Sequence, residues 1–148
     1  MRIAAAQIRP QKGSVLENIE FPYFVCGNEQ MIFTMDNVKI APAICYESFQ
    51  IEHVDHASEL GAEVYITSVA KSQNGINKAW SHYQYVARKY SMTVLMANCI
   101  GHCDNFESVG KSAVWSNEGI LVGELDDTNE GIIVYDTTTQ EITKKILS

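Results

Sequence analysis

The chain has no apolar run that approaches the length of a bilayer span, and its 46% hydrophobic and 20% charged residues are ordinary for a globular protein. A soluble protein without a membrane partner is expected. Positive charge is also scarce: 11 Lys and Arg stand against 18 Asp and Glu, a net charge of −7, with no basic cluster dense enough to follow a phosphate backbone. Nucleic acid is therefore not an expected partner. The opening MRIAAAQIRP has one basic residue and then Gln7, Arg9 and Pro10 where a secretory signal needs a long apolar core, so the cytoplasm is the expected compartment. Nor is there a disulfide framework. Cys26, Cys45, Cys99 and Cys103 are irregularly spaced, which predicts reduced thiols. Cys99, His102 and Cys103 are zinc-ligand types, but no second ligand pair completes a site, so no metal is expected.

With 148 residues, the chain is long enough for one domain over 1–148 with an apolar core of its own. RIAAAQI at 2–8, closed by Pro10 and Gly13, predicts a buried strand. Ser14 and Glu17 have the form of a capping box opening a short helix, which Phe21-Pro22 breaks. QMIFTM and VKIAPAI, separated by Asp36-Asn37, predict a hairpin. Ser48 is the predicted N-cap of a helix through Leu60, ended by Gly61. AEVYITSVA predicts a strand, KSQNGIN a loop, Lys78 to Tyr90 a helix, and TVLMANCI another strand. KSAVWS, ILVGEL, GIIVYD and EITKKI read as further strands, the first two joined by a turn at Asn117-Glu118-Gly119. Strands alternating with helices in the middle, flanked by hairpins, predict an α/β layered fold with a mixed sheet.

Cys45 closes an apolar strand just before a predicted helix start. Free backbone N–H groups and the helix dipole there would stabilise a thiolate, and the Tyr46 N–H could hold the oxyanion of a tetrahedral intermediate. Taken on the turn alone, Cys45 reads better as a small buried residue at a strand end. Glu47 reads either as an orienting or substrate-binding acid or as an acidic residue favoured at a helix start. His53 and His56 share a helix face and read as solvated, and Lys39 reads as a surface lysine.

The string PAICYES, followed after one helix by LGAEVYITSVA, resembles the nucleophile region of the nitrilase superfamily of carbon–nitrogen hydrolases. VLMANCIG at 94–101, GKSAVWSNEGILVG at 110–123 and the opening MRIAAAQIRPQKGSVLENIE resemble further segments of that family, in the family's own order. The resemblance implies a layered α-β-β-α sandwich, here shortened internally. It also implies a small amide substrate attacked by Cys45 through a thioester, no cofactor, and assembly into homo-oligomers. Lys71, Ser72 and Trp80, which follow the next strand, and Asn98 at the end of the strand after it, correspond to residues bordering the family's pocket. The family also uses a glutamate and a lysine ahead of the cysteine. After Glu20 this chain passes into FPYFVCGNEQMIF, which resembles the stretch already beyond that lysine, and Glu17, Glu20 and Glu29 are not assigned to the missing roles. The alternative is a non-catalytic remnant of the scaffold that serves in binding or assembly.

Overall fold

The computed structural model describes residues 1–9, 30–103 and 105–147. The predicted capping box at Ser14 and Glu17, the break at Phe21-Pro22, and Glu20, Cys26 and Glu29 all lie outside the described residues. The chain forms β1 (Arg2–Gln7), β2 (Phe33–Met35) and β3 (Val38–Ile44), then a 3-10 turn over Cys45–Phe49 and α1 (Ile51–Glu59). It continues through β4 (Val64–Val69), α2 (Gln73–Tyr90), β5 (Thr93–Asn98), β6 (Ile100–Cys103) and β7 (Phe106–Val109). Last come β8 (Ala113–Trp115), β9 (Leu121–Glu124), β10 (Gly131–Asp136) and β11 (Ile142–Ile146).

Six strands form one mixed sheet in the order β2-β3-β4-β5-β8-β9, with β3, β4 and β5 parallel and the rest antiparallel. A second sheet, β1-β10-β11, is antiparallel throughout. The predicted turn at Asp36-Asn37 is present, with both residues at positive φ, 51° and 64°, the geometry of a two-residue hairpin turn.

The central strands are apolar on successive residues because both of their faces are covered. Ala41, Tyr65, Val94 and Ala113 face α1 and α2, meeting Val54, Ala57, Ile76, Tyr83 and Val86. Their chain neighbours Ile40, Val64, Leu95 and Val114 face the second sheet and meet Ile3, Ala5, Ile133 and Tyr135. Helices, six-stranded sheet and three-stranded sheet are thus three successive layers. The mixed α/β architecture expected from the sequence is present.

Two local expectations are corrected, and one element was unforeseen. Ser48 does not cap α1, which begins at Ile51 after Gln50; Ser48 lies inside the 3-10 turn. KSQNGIN is largely helical: α2 starts at Gln73, because Ile76 and Ala79 extend the buried stripe that continues through Tyr83, Val86 and Ala87. Polar residues on the opposite face hid that stripe. The β6–β7 hairpin was not foreseen from its mixed, polar sequence.

Gln7 joins the ends of several loops. It is 0% exposed. Its Nε2 donates to the carbonyls of Asp126 (2.9 Å) and Asn129 (2.8 Å), and its Oε1 accepts from the Ser112 N–H (3.0 Å). Gly110, at φ 60°, leaves room for this carboxamide, which a Cβ at that position would overlap. Gln7→Leu keeps the approximate volume but strips partners from three main-chain groups, and is expected to cost roughly 2–4 kcal/mol of folding free energy. Urea unfolding measures this, and an unchanged midpoint would remove Gln7 from the role.

Candidate active site

β3, β4 and β5 end at Ile44, Val69 and Asn98 along one edge of the sheet, where ligand sites gather in α/β folds. Cys45 follows β3 directly, with φ 49°, a left-handed conformation that a non-glycine residue adopts at a cost of order 1–3 kcal/mol. Such strain persists only where neighbours hold it. The Ser48 hydroxyl donates to the Cys45 carbonyl (2.6 Å), and because that uses its proton, the Tyr83 hydroxyl 2.6 Å away donates to Ser48. His82 Nε2 donates to the Ser48 carbonyl (2.9 Å), and its ring stacks on Phe49 with centroids 4.7 Å apart. One serine thereby links the strained residue to two consecutive residues of α2.

The thiol-bearing residue is exposed, as are its neighbours Ile44 (69%) and Tyr46 (77%). The helix-dipole argument for Cys45 does not hold in its original form, since α1 begins six residues later and the intervening segment is a single 3-10 turn. The Tyr46 N–H does stand at the head of that turn, where no earlier carbonyl of the turn can accept from it. Glu47 has a definite occupation: one carboxylate oxygen accepts the Ile44 N–H at 2.6 Å, holding the end of β3 against the turn.

The remaining predicted residues fall into separate places. The Lys71 ammonium lies 4.1 Å from the centre of the Phe49 ring, which brings a cation to the turn. Ser72 is the N-cap of α2 but makes no side-chain capping bond. Asn98 is 0% exposed, and its carboxamide is spent on main chain, accepting from the Lys71 N–H (2.8 Å) and donating to the carbonyls of Lys71 (3.2 Å) and Gly110 (2.6 Å). The Ser108 hydroxyl has both Asn98 Oδ1 and the Lys71 carbonyl within 3.1 Å. Trp80 sits on the face of α2 that meets β8, donating from Nε1 to the Lys111 carbonyl (3.2 Å) with its ring edge-on to Trp115. Cys45, Tyr46, Glu47 and Lys71 are therefore grouped about the turn, while Asn98 and Trp80 brace loops.

Sequence reasoning missed Ser48 in this role, along with Phe49, His82 and Tyr83. Tyr83 was detectable as the polar-tipped member of the α2 stripe, whereas His82 carries no sequence signal. His53 differs from the solvated residue expected: half-buried, its Nδ1 lies 2.9 Å from the Tyr65 hydroxyl. Lys39 is exposed as expected, and its ammonium caps the α1 C-terminus at the Leu60 carbonyl (2.9 Å). Among the described residues, no cluster of three or more metal-ligating side chains forms.

Burial holds His82 below its ordinary pKa, against the Ser48 carbonyl, which pulls it up; the Lys71 charge adds to the lowering. Burial is also the largest cause of the lowered pKa of His53. In the unfolded chain these rings take a proton near pH 6.5, while the fold resists it, so their contribution is complete above about pH 6.5 and is lost as pH falls through the lower folded values. Asp126, held at about 2 by the Thr128 and Asn129 N–H groups, titrates in a more acidic window. The urea midpoint is expected to fall between pH 7 and pH 5, and more shallowly in His82→Gln, whose amide can still reach the Ser48 carbonyl. Equal slopes in the two proteins would place the acid sensitivity elsewhere.

Comparison with known proteins gives a family. The family model described as carbon-nitrogen hydrolase matches residues 7–145. No curated protein matches the chain in sequence. Among solved structures, a cysteine-to-alanine mutant of the amidase from Nesterenkonia AN1, of the nitrilase superfamily, superposes with a TM-score of 0.68 at 21% identity, over 75% of this chain and 42% of that one. Another structure of the same amidase shows acrylamide joined to its active-site cysteine by Michael addition. The glutamine-dependent NAD+ synthetase of Acinetobacter baumannii gives a TM-score of 0.70 at 19% identity, over 94% of this chain and 26% of that one. A branch 10 member of the nitrilase superfamily from Saccharomyces cerevisiae gives 0.67 at 20% identity, over 73% and 40%. The chain spans less than half the length of each of these structures. A match over nearly all its residues, on a fold shared with nitrilase-superfamily structures, makes this chain a member of the carbon–nitrogen hydrolase family.

Proposed function

We propose that the chain bears the nucleophile of a carbon–nitrogen hydrolase that acts on small amides, with Cys45 as the attacking residue. The observation that carries this reading is the conformation of Cys45: an exposed cysteine at φ 49°, at the end of a central parallel strand, fastened through Ser48 to Tyr83 and His82. A cysteine that merely filled space at a strand end would have no need of a left-handed backbone or of this brace.

In the proposed reaction the Cys45 sulfur bonds to the amide carbon, the C–N bond breaks, and the thiol proton leaves with the amine. Water then cleaves the thioester, returning the thiol and releasing a carboxylic acid. The Tyr46 N–H supports the oxyanion, and Lys71 supplies positive charge near the turn. An apolar cavity of about 230 Å³ borders the residues just before Cys45, lined by Pro42, Ile44, Ile66 and Ala97 with Ala4 of β1, a space suited to a short acyl chain. Glu47 acts here by positioning, through the Ile44 N–H.

One observation favours a second reading, a non-catalytic scaffold of the same family. The carboxylate nearest to Cys45 in sequence is already engaged by the main chain, and no hydrogen bond among the described residues supplies the sulfur with a base. Two measurements on the folded protein separate the readings. Hydrolysis of a panel of short aliphatic amides should release ammonia, and Cys45→Ala should reduce release to background. Acrylamide should add one equivalent at Cys45, located by peptide mass. Addition at Cys45 without ammonia release would establish the scaffold reading, and absence of both would remove Cys45 as a nucleophile.

A further inference from the structure

Cys99 and Cys103 take no part in the arrangement around Cys45, yet their sulfurs lie 3.1 Å apart. Four residues along an extended strand separate side chains by roughly 13 Å, so the spacing alone would hold these thiols apart. Gly101 closes the distance. It sits between them at φ 90°, a conformation readily available only to glycine, and folds the start of the β6–β7 hairpin so that both side chains turn to one place.

Metal binding is the poorer explanation for this convergence. The intervening His102 is exposed and its Nδ1 pairs with the Glu107 carboxylate at 3.2 Å. Among the described residues, no set of three metal-ligating side chains assembles. Two half-buried sulfurs in contact, open to a small molecule, form instead the reactant geometry of a disulfide.

We propose that Cys99 and Cys103 constitute a dithiol oxidation site that a hydroperoxide converts to an intramolecular disulfide. The Cys99 sulfur attacks the peroxide: an S–O bond forms, the O–O bond breaks, and the distal oxygen takes the Cys99 proton and leaves as water or an alcohol. The Cys103 sulfur then displaces the oxygen from the resulting sulfenic acid. An S–S bond forms as the S–O bond breaks, and the oxygen departs as water with the Cys103 proton. Two electrons pass from the sulfurs to the peroxide. Burial, and then the Cys99 sulfur beside it, push the Cys103 thiol up to about 11.

The order of attack rests on the anchoring of the two residues. The Cys99 main chain is fixed: its N–H donates to the Val69 carbonyl (3.3 Å), and its own carbonyl accepts from the Gly110 N–H (2.9 Å) and the Ser108 hydroxyl (2.9 Å). Cys103 stands at the far end of β6, next to the hairpin turn, and supplies the small movement that bonding needs. The closed loop spans only residues 99–103, so little stabilisation by chain entropy follows. The bond would fix the hairpin on the junction that holds Lys71.

The test uses the full reduced chain with limiting hydrogen peroxide, an acid quench, alkylation of remaining thiols and tryptic mapping. Both cysteines fall in the peptide 90–111, between Lys89 and Lys111. The expected product is that peptide lighter by two hydrogens and unalkylated, with Cys26 and Cys45 still alkylated and the change reversed by dithiothreitol. Cys103→Ser, checked by circular dichroism for folding, should lose the disulfide and carry at Cys99 a sulfenic acid that dimedone traps. Preferential oxidation of Cys45 or Cys26, a disulfide joining either of them to Cys99 or Cys103, or full alkylation of the 90–111 peptide would overturn the proposal.

Discussion

Two buried carboxamides, Gln7 and Asn98, hold together segments that the sheets alone do not connect, and the geometry of the candidate site depends on them. Gln7 ends β1 in the three-stranded sheet and Asn98 ends β5 in the six-stranded sheet. Between them lies Ser112: its N–H donates to Gln7 Oε1, its hydroxyl donates to the Asn98 carbonyl (3.1 Å), and the Asn98 N–H donates to that hydroxyl (3.0 Å). The chain of bonds runs on from the Asn98 side chain to both main-chain groups of Lys71. A fully satisfied polar network in a low-dielectric interior has one favourable arrangement, whereas apolar contacts tolerate several. The network therefore fixes the position at which the chain leaves β4 for α2, and so the residue whose ammonium rests on Phe49.

From Lys71 the constraint passes to Cys45 through aromatic contact and α2. Phe49 lies between the Lys71 cation and the His82 ring, and His82 and Tyr83 both reach Ser48. The backbone strain at Cys45 is thus opposed by three charge-neutral hydrogen bonds and a stacked ring, each worth about 1 kcal/mol, the same order as the strain itself. A brace of that size holds one conformation without needing an ion pair. It also explains why Glu47 serves the main chain: with the Ile44 N–H taken by a carboxylate, the last residue of β3 cannot drift from the turn.

What the sequence reveals follows from whether a signal is local. β3, β4 and β5 were legible because burial on both faces makes them continuous apolar runs, as VKIAPAI and TVLMAN show. The Asp36-Asn37 turn was legible because left-handed pairs favour such residues. The start of α2 was not, because Asn74 and Gly75 are poor helix formers that tertiary packing of Ile76 overrides. Ser48 was misassigned for a related reason. A serine three residues before a helix has the local form of a cap, and only the packing of α2 across the turn reveals that its hydroxyl joins Tyr83 to the Cys45 carbonyl. The positive φ of Cys45 had no local signal, since cysteine is not a residue that predicts left-handed backbone. Residues 45–47 and Lys71 were named from the sequence because they lie in or beside recognisable segments, whereas the partners contributed by α2, 34 and 35 positions from Ser48, were not.

The same distinction separates placement of a nucleophile from its activation. Placement here is a property of the fold: a strand end, a strained residue and a helix packed across it, all built from residues that the sheet and its helices bring together. Activation is a different requirement, since an amide nitrogen leaves only when protonated and a thiol attacks only when relieved of its proton. Those tasks need ionisable groups at the sulfur, and the groups next to it are otherwise engaged: Glu47 by Ile44, His82 by Ser48, Lys71 by the face of Phe49. The turn at Cys45 can therefore persist for mechanical reasons, because the brace through Ser48 also secures the packing of α2 on the sheet, whether or not chemistry follows. The turn fixes where the proposed attack would occur; its rate would be decided by groups that the turn itself does not require.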